Sequence, residues 1–143
     1  MKMKEAFEAY ERIRYRLPDV TRRADCHRLP NLDYLASEID VFLLDAFGVL
    51  NIGETAIPGV PERVAGLQKG GKRVMVVSNA AGYPHSTLMR KYKRLGYNFD
   101  PEDVITSRTA TLAAINKMPT TKWGIIDTEI WGLEDLEHLD ITY

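Results

Sequence analysis

The chain has 143 residues, of which 45% are hydrophobic and 27% charged, and its formal net charge is −1. The length and composition suit one ordinary domain. No apolar run approaches the ~18 residues of a membrane-spanning helix, and the N-terminus Met1-Lys2-Met3-Lys4 leads into no apolar signal region, so a cytoplasmic protein without a membrane anchor is expected.

The elements follow in chain order. Ala6, Tyr10, Ile13 and Leu17 recur at near-helical spacing before Pro18, which predicts an N-terminal helix packed on the core or on a partner. Residues 1–37 carry eight Lys/Arg against six Asp/Glu, and Arg12, Arg14, Arg16, Arg22 and Arg23 are interleaved with acids. That is a solvated face, and no nucleic-acid partner is expected. Cys26 is the only cysteine, so it forms no internal disulfide, and with His27 beside it there are too few ligands for zinc. Asn31 to Ser37 suggests a short second helix with Asn31 as its cap.

Val41-Phe42-Leu43-Leu44 is a continuous apolar run of the kind a parallel strand buried on both faces produces, and it ends in Asp45. Ligands in open α/β sheets gather at the carboxyl ends of such strands. An Asp there often only starts a turn, with Gly48 relaxing the chain. The following residues argue for more. Val60, Val64 and Leu67 mark a short amphipathic helix after Ile57-Pro58-Gly59, closed by Gly70-Gly71. Arg73-Val74-Met75-Val76-Val77 is then a second strand, ending in Ser78-Asn79. A strand–helix–strand unit places its strands side by side and parallel, so Asp45 and Ser78 are expected on one edge.

Beyond Ser78, Pro84 fits the first turn of a helix whose buried stripe is Leu88, Tyr92 and Leu95, with Gly96 as its stop. Arg90, Lys91, Lys93 and Arg94 fall on its wet side, and His85 reads as a capping or surface residue. Val104-Ile105-Thr106 reads as a third strand, residues 109–118 as a helix with Leu112, Ile115 and Met118 inward, and Trp123-Gly124-Ile125-Ile126 as another strand. Leu133, Leu136 and Leu139 suggest a brief helix before a strand beginning at Ile141. A sheet edge left exposed there predicts pairing with a second copy, a homodimer, or poor solubility.

The order Leu43-Leu44-Asp45-Ala46-Phe47-Gly48-Val49-Leu50, Gly53, Ile57-Pro58-Gly59, Val76-Val77-Ser78-Asn79, Leu95-Gly96-Tyr97 and Asp103-Val104-Ile105-Thr106-Ser107 resembles the haloacid dehalogenase superfamily. Within it the spacing is most similar to the capped NagD-like, 4-nitrophenylphosphatase-like branch. The resemblance implies an α/β fold: a Rossmann-like three-layer core with a parallel sheet, followed by the beginning of an inserted α/β cap. It divides the chain into an N-terminal helical segment (1–37), a partial core (38–107) and a partial cap (108–143).

The same resemblance implies a hydrolase of small phosphate esters in which Asp45 attacks phosphorus and forms an aspartyl-phosphate. It implies Mg2+ held by the Asp45 carboxylate and the Phe47 backbone carbonyl, and phosphate bound by the Ser78 hydroxyl and the Asn79 N–H. Phe47 departs from the pattern, because family phosphatases carry a proton-transferring Asp at that position. Weak turnover is therefore expected on poor leaving groups. The later family motifs, a Lys and a Gly-Asp pair, have no match: neither Lys117, Lys122, Asp127, Asp135 nor Asp140 stands in the required context. Two alternatives follow, a catalytically incompetent chain acting as a binding module, and a dehalogenase-like hydrolase, whose branch also has an aromatic residue at the Phe47 position.

Overall fold

The computed structural model describes residues 2–19, 27–118, 120–126 and 134–142. Cys26, Arg22, Arg23, Asp127 and Leu133, all weighed above, lie outside the described residues. The chain divides into two compact units, Met1–Pro30 and Asn31–Tyr143.

In the first unit, α1 (Met3–Arg12) is followed by a 3-10 turn over Arg14–Arg16. The predicted stripe is only partly helical, since Ile13 and Leu17 fall beyond the α-helical segment. No residue of α1 is buried, and Phe7 and Tyr10 stand exposed.

In the second unit, the helix expected over residues 31–37 is a 3-10 turn, Leu32–Leu35, with the Asn31 side chain accepting from the Asp33 N–H at 2.9 Å. The central feature is a three-stranded parallel sheet ordered β1 (Val41–Leu44), β4 (Arg73–Ser78), β5 (Val104–Thr106). Between β1 and β4 the chain makes a small antiparallel hairpin, β2 (Asn51–Ile52) and β3 (Thr55–Ala56), and then α2 (Val60–Lys69). Between β4 and β5 lies α3 (His85–Arg94). The α/β class with a parallel sheet is thus observed. Among the described residues no helix is long and apolar enough to cross a membrane.

One face of this sheet carries the core. Phe42, Val74, Val76 and Val104 are buried there with Val64 and Leu67 of α2 and Leu88 and Tyr92 of α3 in one cluster. The period-two alternation turns Val41, Leu43, Val77 and Ile105 to the other face, where Leu43 is 64% exposed. The apolar run 41–44 is therefore half-buried, not buried on both faces, because within this unit the helices α2 and α3 pack on the one side only.

An aromatic group closes the core below α3. Tyr92 meets Tyr97 and Phe99 edge-on at 6.3 and 5.6 Å, and Tyr97 stacks on Phe99 at 5.4 Å. Gly96, at φ +89°, makes the turn that brings Tyr97 back under the helix, a conformation that a side chain would strain. The Tyr97 hydroxyl then donates to the Leu50 carbonyl at 2.6 Å and ties this cluster to the loop after β1.

The C-terminal part departs from the periodic reading in three places. The fourth helix, α4, spans Ser107–Ile115 and starts two residues early, because Thr106 caps it by accepting from the Thr109 N–H. Met118 consequently lies beyond its end and is 48% exposed, not inward. The strand expected over 123–126 is confined to β6 (Trp123–Gly124), which pairs in parallel with β7 (Ile141–Thr142). Residues 134–138 form turns and not a helix, although Leu136 is buried as its spacing suggested.

Replacing Tyr97 by Phe keeps the ring packing and deletes one buried hydrogen bond. The Leu50 carbonyl keeps a second donor, the Ile57 N–H at 3.0 Å, so the loss should be about 1 kcal/mol, read as a lower urea midpoint with an unchanged slope.

Candidate functional site

The register of β1 and β4 pairs Val41 with Arg73 and Leu44 with Val76. Both chains leave the sheet at the same edge within two residues of that last pair, one into Asp45 and the other into Ser78 and Asn79. Directly after Asp45 the backbone makes a tight loop. The Ala46 carbonyl accepts from the N–H groups of Val49, Leu50 and Asn51, and Gly48, at φ +81°, donates its N–H to the Asn51 carbonyl at 2.8 Å.

Asp45 is exposed at this edge, and its Oδ1 accepts from the Ala46 N–H at 2.7 Å. Among the described residues its other oxygen and the Phe47 carbonyl accept no hydrogen bond. The Phe47 ring is 70% exposed. Ser78 Oγ accepts from the Ala80 N–H at 3.2 Å, which orients the hydroxyl and leaves its own proton to donate.

Phe47, Ser78 and Asn79 line one hollow of about 290 Å³, with Ala46, the residue after Asp45, also in its wall. Asn51, Tyr83, Lys91 and Tyr92 also line it. Three of these were missed as site residues in the sequence. Tyr92 read as core and Lys91 as solvated surface from helical spacing alone, whereas Tyr83 had no pattern to mark it. Tyr92 is 2% exposed, yet its hydroxyl has no hydrogen-bond partner among the described residues. Burial pushes its phenol above the ordinary range, and the nearby Asp45 carboxylate adds to the rise.

The β2–β3 hairpin forms one rim. The buried Asn51 donates from Nδ2 to the Gly53 carbonyl at 2.7 Å, stiffening the turn. Glu54, at the tip, receives Lys91 Nζ at 2.8 Å and Arg94 Nη2 at 2.5 Å, so two cations of α3 hold the hairpin. Lys91 also lies 5.7 Å from the centre of the Tyr83 ring, a cation–π distance. His85 bonds through Nε2 to the Val104 carbonyl at 3.2 Å, and His138 bonds to Asn116 at 2.8 Å.

A hard divalent cation such as Mg2+ takes oxygen ligands, keeps several waters and is bound through one or two carboxylates together with substrate phosphate. The open Asp45 oxygen and the Phe47 carbonyl are donors of this kind. Among the described residues no group of three or more His, Cys, Asp or Glu gathers to form a complete protein cage. The donor set therefore fits a water-rich magnesium shell and not a structural metal centre.

A second, larger hollow of about 740 Å³ lies between α4 and the β6 region. Arg108 borders it. Only 8% exposed, Arg108 reaches both Asp135 oxygens through Nε at 2.9 and 3.0 Å. This ion pair went unread because its partners lie 27 positions apart.

Comparison with known proteins bears on the site. The sequence profile of the haloacid dehalogenase-like hydrolases matches residues 42–137. The chain is similar to the chloroplastic phosphoglycolate phosphatase 1A of Arabidopsis thaliana, 29% identical over 134 residues, which are 92% of this chain and 37% of that protein. It is also similar to the 4-nitrophenylphosphatase of Schizosaccharomyces pombe, 32% identical over 101 residues, covering 68% of this chain and 34% of that one. The chain thus spans a little over a third of the length of these relatives. Among solved structures, a glycerol phosphate phosphatase from Mycobacterium tuberculosis in complex with magnesium shares the fold, with a TM-score of 0.59, 24% identity, and coverage of 76% of this chain and 33% of that one.

The Glu54 carboxyl is held below its ordinary range by the Lys91 hydrogen bond, with Arg94 adding to the effect. A carboxyl lowered in the folded state contributes above its unfolded pKa and loses that contribution as pH falls through the folded value. Amide-exchange protection of residues 51–56, corrected for intrinsic rates, should therefore drop on acidification through the carboxylate range. A Glu54→Gln chain should show the low protection already at neutral pH.

Proposed function

Because the chain belongs to the haloacid dehalogenase-like hydrolase family, in its capped NagD-like branch, we propose that it carries the phosphoryl-accepting site of a magnesium-dependent phosphatase of small phosphate esters. The observation that carries this reading is the common edge: Asp45 follows the end of β1, Ser78 ends the adjacent β4, and Ser78 and the next residue, Asn79, line one hollow.

In this reading an Asp45 oxygen attacks phosphorus and the ester oxygen leaves, giving an aspartyl-phosphate that water then hydrolyses. The Ser78 hydroxyl donates to a phosphoryl oxygen, and the Asn79 N–H stands beside it, so that donors face the charge as it develops. The Asp45 carboxylate and the Phe47 carbonyl would hold magnesium, which would neutralise charge between carboxylate and phosphate. The relatives' printed substrates are small phosphorylated molecules or an activated aryl phosphate, which supports phosphoryl over halide chemistry.

A second reading has one observation in its favour. Phe47 occupies the place of a proton-transferring residue and lacks any ionisable group, so the hollow could bind phosphate without turnover. For the surface, we propose self-association through the edges and open apolar face of the sheet, where Val41, Leu43, Val77 and Ile105 are exposed.

With Mg2+, the chain should release p-nitrophenol from p-nitrophenyl phosphate, and Asp45→Asn should lower that rate by about 10³-fold or more. Equal rates would remove Asp45 as nucleophile, whereas phosphate binding without release would favour the second reading. Halide release from a haloalkanoate without metal would favour the dehalogenase instead. In light scattering the apparent mass should rise toward a dimer with concentration, and a constant monomer mass would contradict self-association.

A further inference from the structure

We propose that Tyr92 supplies the proton that Phe47 cannot: its phenolic O–H, in the wall of the same hollow as Phe47 and Ser78, protonates the leaving oxygen of the ester. The proposal rests on the phosphatase reading above and adds a residue to it.

Four observations support Tyr92. It lines the hollow with Phe47, Ser78 and Asn79 although only 2% of it is exposed. Its ring is fixed by Tyr97 and Phe99, edge-on to both. Its hydroxyl has no hydrogen-bond partner among the described residues, whereas the neighbouring Tyr97 hydroxyl is committed to the Leu50 carbonyl at 2.6 Å. The Tyr92 hydroxyl is accessible, since among the described residues the one buried side-chain polar atom without a partner is the Trp123 indole nitrogen, and it is therefore open to a ligand. Burial raises the phenol's pKa above its ordinary range, so the O–H form persists at neutral pH.

The proton balance closes. As an Asp45 oxygen bonds to phosphorus, the P–O bond to the leaving group breaks and its electron pair goes to the ester oxygen, which takes the Tyr92 proton and departs as an alcohol. The phenolate left behind then takes a proton from the water that attacks the aspartyl-phosphate. Phosphate leaves, and both Asp45 and Tyr92 return to their starting forms. An alkoxide is a stronger base than a phenolate, so the first transfer runs downhill. The phenolate is in turn a competent base for the second.

The test compares two esters on the full chain with Mg2+: p-nitrophenyl phosphate, whose leaving group needs little protonation, and a simple alkyl phosphate, whose leaving group needs much. Tyr92→Phe keeps the ring, and its thermal midpoint reports whether the fold is retained. The variant should lower kcat/KM for the alkyl ester about 10²-fold more than for the aryl ester. An equal fall on both esters, or none, with Asp45→Asn inactive on both, would overturn the role of Tyr92 and leave the phosphatase reading standing. Native rates in Asp45→Asn, or no phosphate release by the native chain from either ester, would remove the phosphatase reading and the proton donor with it.

Discussion

The parallel pairing of β1 with β4 is the constraint on which the rest of this molecule depends. Backbone hydrogen bonds fix Leu44 beside Val76, and a slip of one residue would exchange the faces of every side chain in the strand. A slip of β1 would turn Phe42 to solvent in place of Val41 and Leu43, and a slip of β4 would do the same to Val74 and Val76 in place of Val77. Burial of that one apolar face holds the register. The register in turn brings a carboxylate and a hydroxyl to the same edge without any direct bond between them.

Around that edge the protein uses second contacts to hold the loops. The Ala46 carbonyl gathers three N–H donors behind Asp45, Tyr97 reaches across 47 positions to the Leu50 carbonyl, and Glu54 fastens the hairpin to two cations of α3. The aromatic cluster below α3 therefore supports the loop that carries Asp45 and presents one of its own rings, Tyr92, to the hollow. Packing and chemistry meet in that residue.

Much of this was legible in the residues. The strand ends at Asp45 and Ser78, the Asn31 cap, the helix opened by Ile57-Pro58-Gly59 and the stop at Gly96 all come from local rules of period and turn chemistry, which act over a few residues. What escaped were pairings across distance. Glu54 with Lys91, Arg108 with Asp135 and Tyr97 with Leu50 join positions that no periodicity relates. Helical spacing assigned Tyr92 to the core correctly but is blind to where its hydroxyl ends. The open face of the sheet was also unreadable, because an apolar run looks the same whether one side or both are covered. At the C-terminal end, the Thr106 cap outweighed the apolar spacing and moved α4 toward its N-terminus, leaving Met118 outside.

The most direct measurement of the central claim is an amide nitrogen–proton NMR titration of the labelled chain with Mg2+ and beryllofluoride, a mimic of an aspartyl-phosphate. If Asp45 and Ser78 share one phosphoryl site, the amides of Ala46 and Phe47 and those of Asn79 and Ala80 shift together along a single saturation curve, and none of them shifts in Asp45→Asn. Shifts confined to one of the two strand ends, or unchanged in Asp45→Asn, would contradict the account.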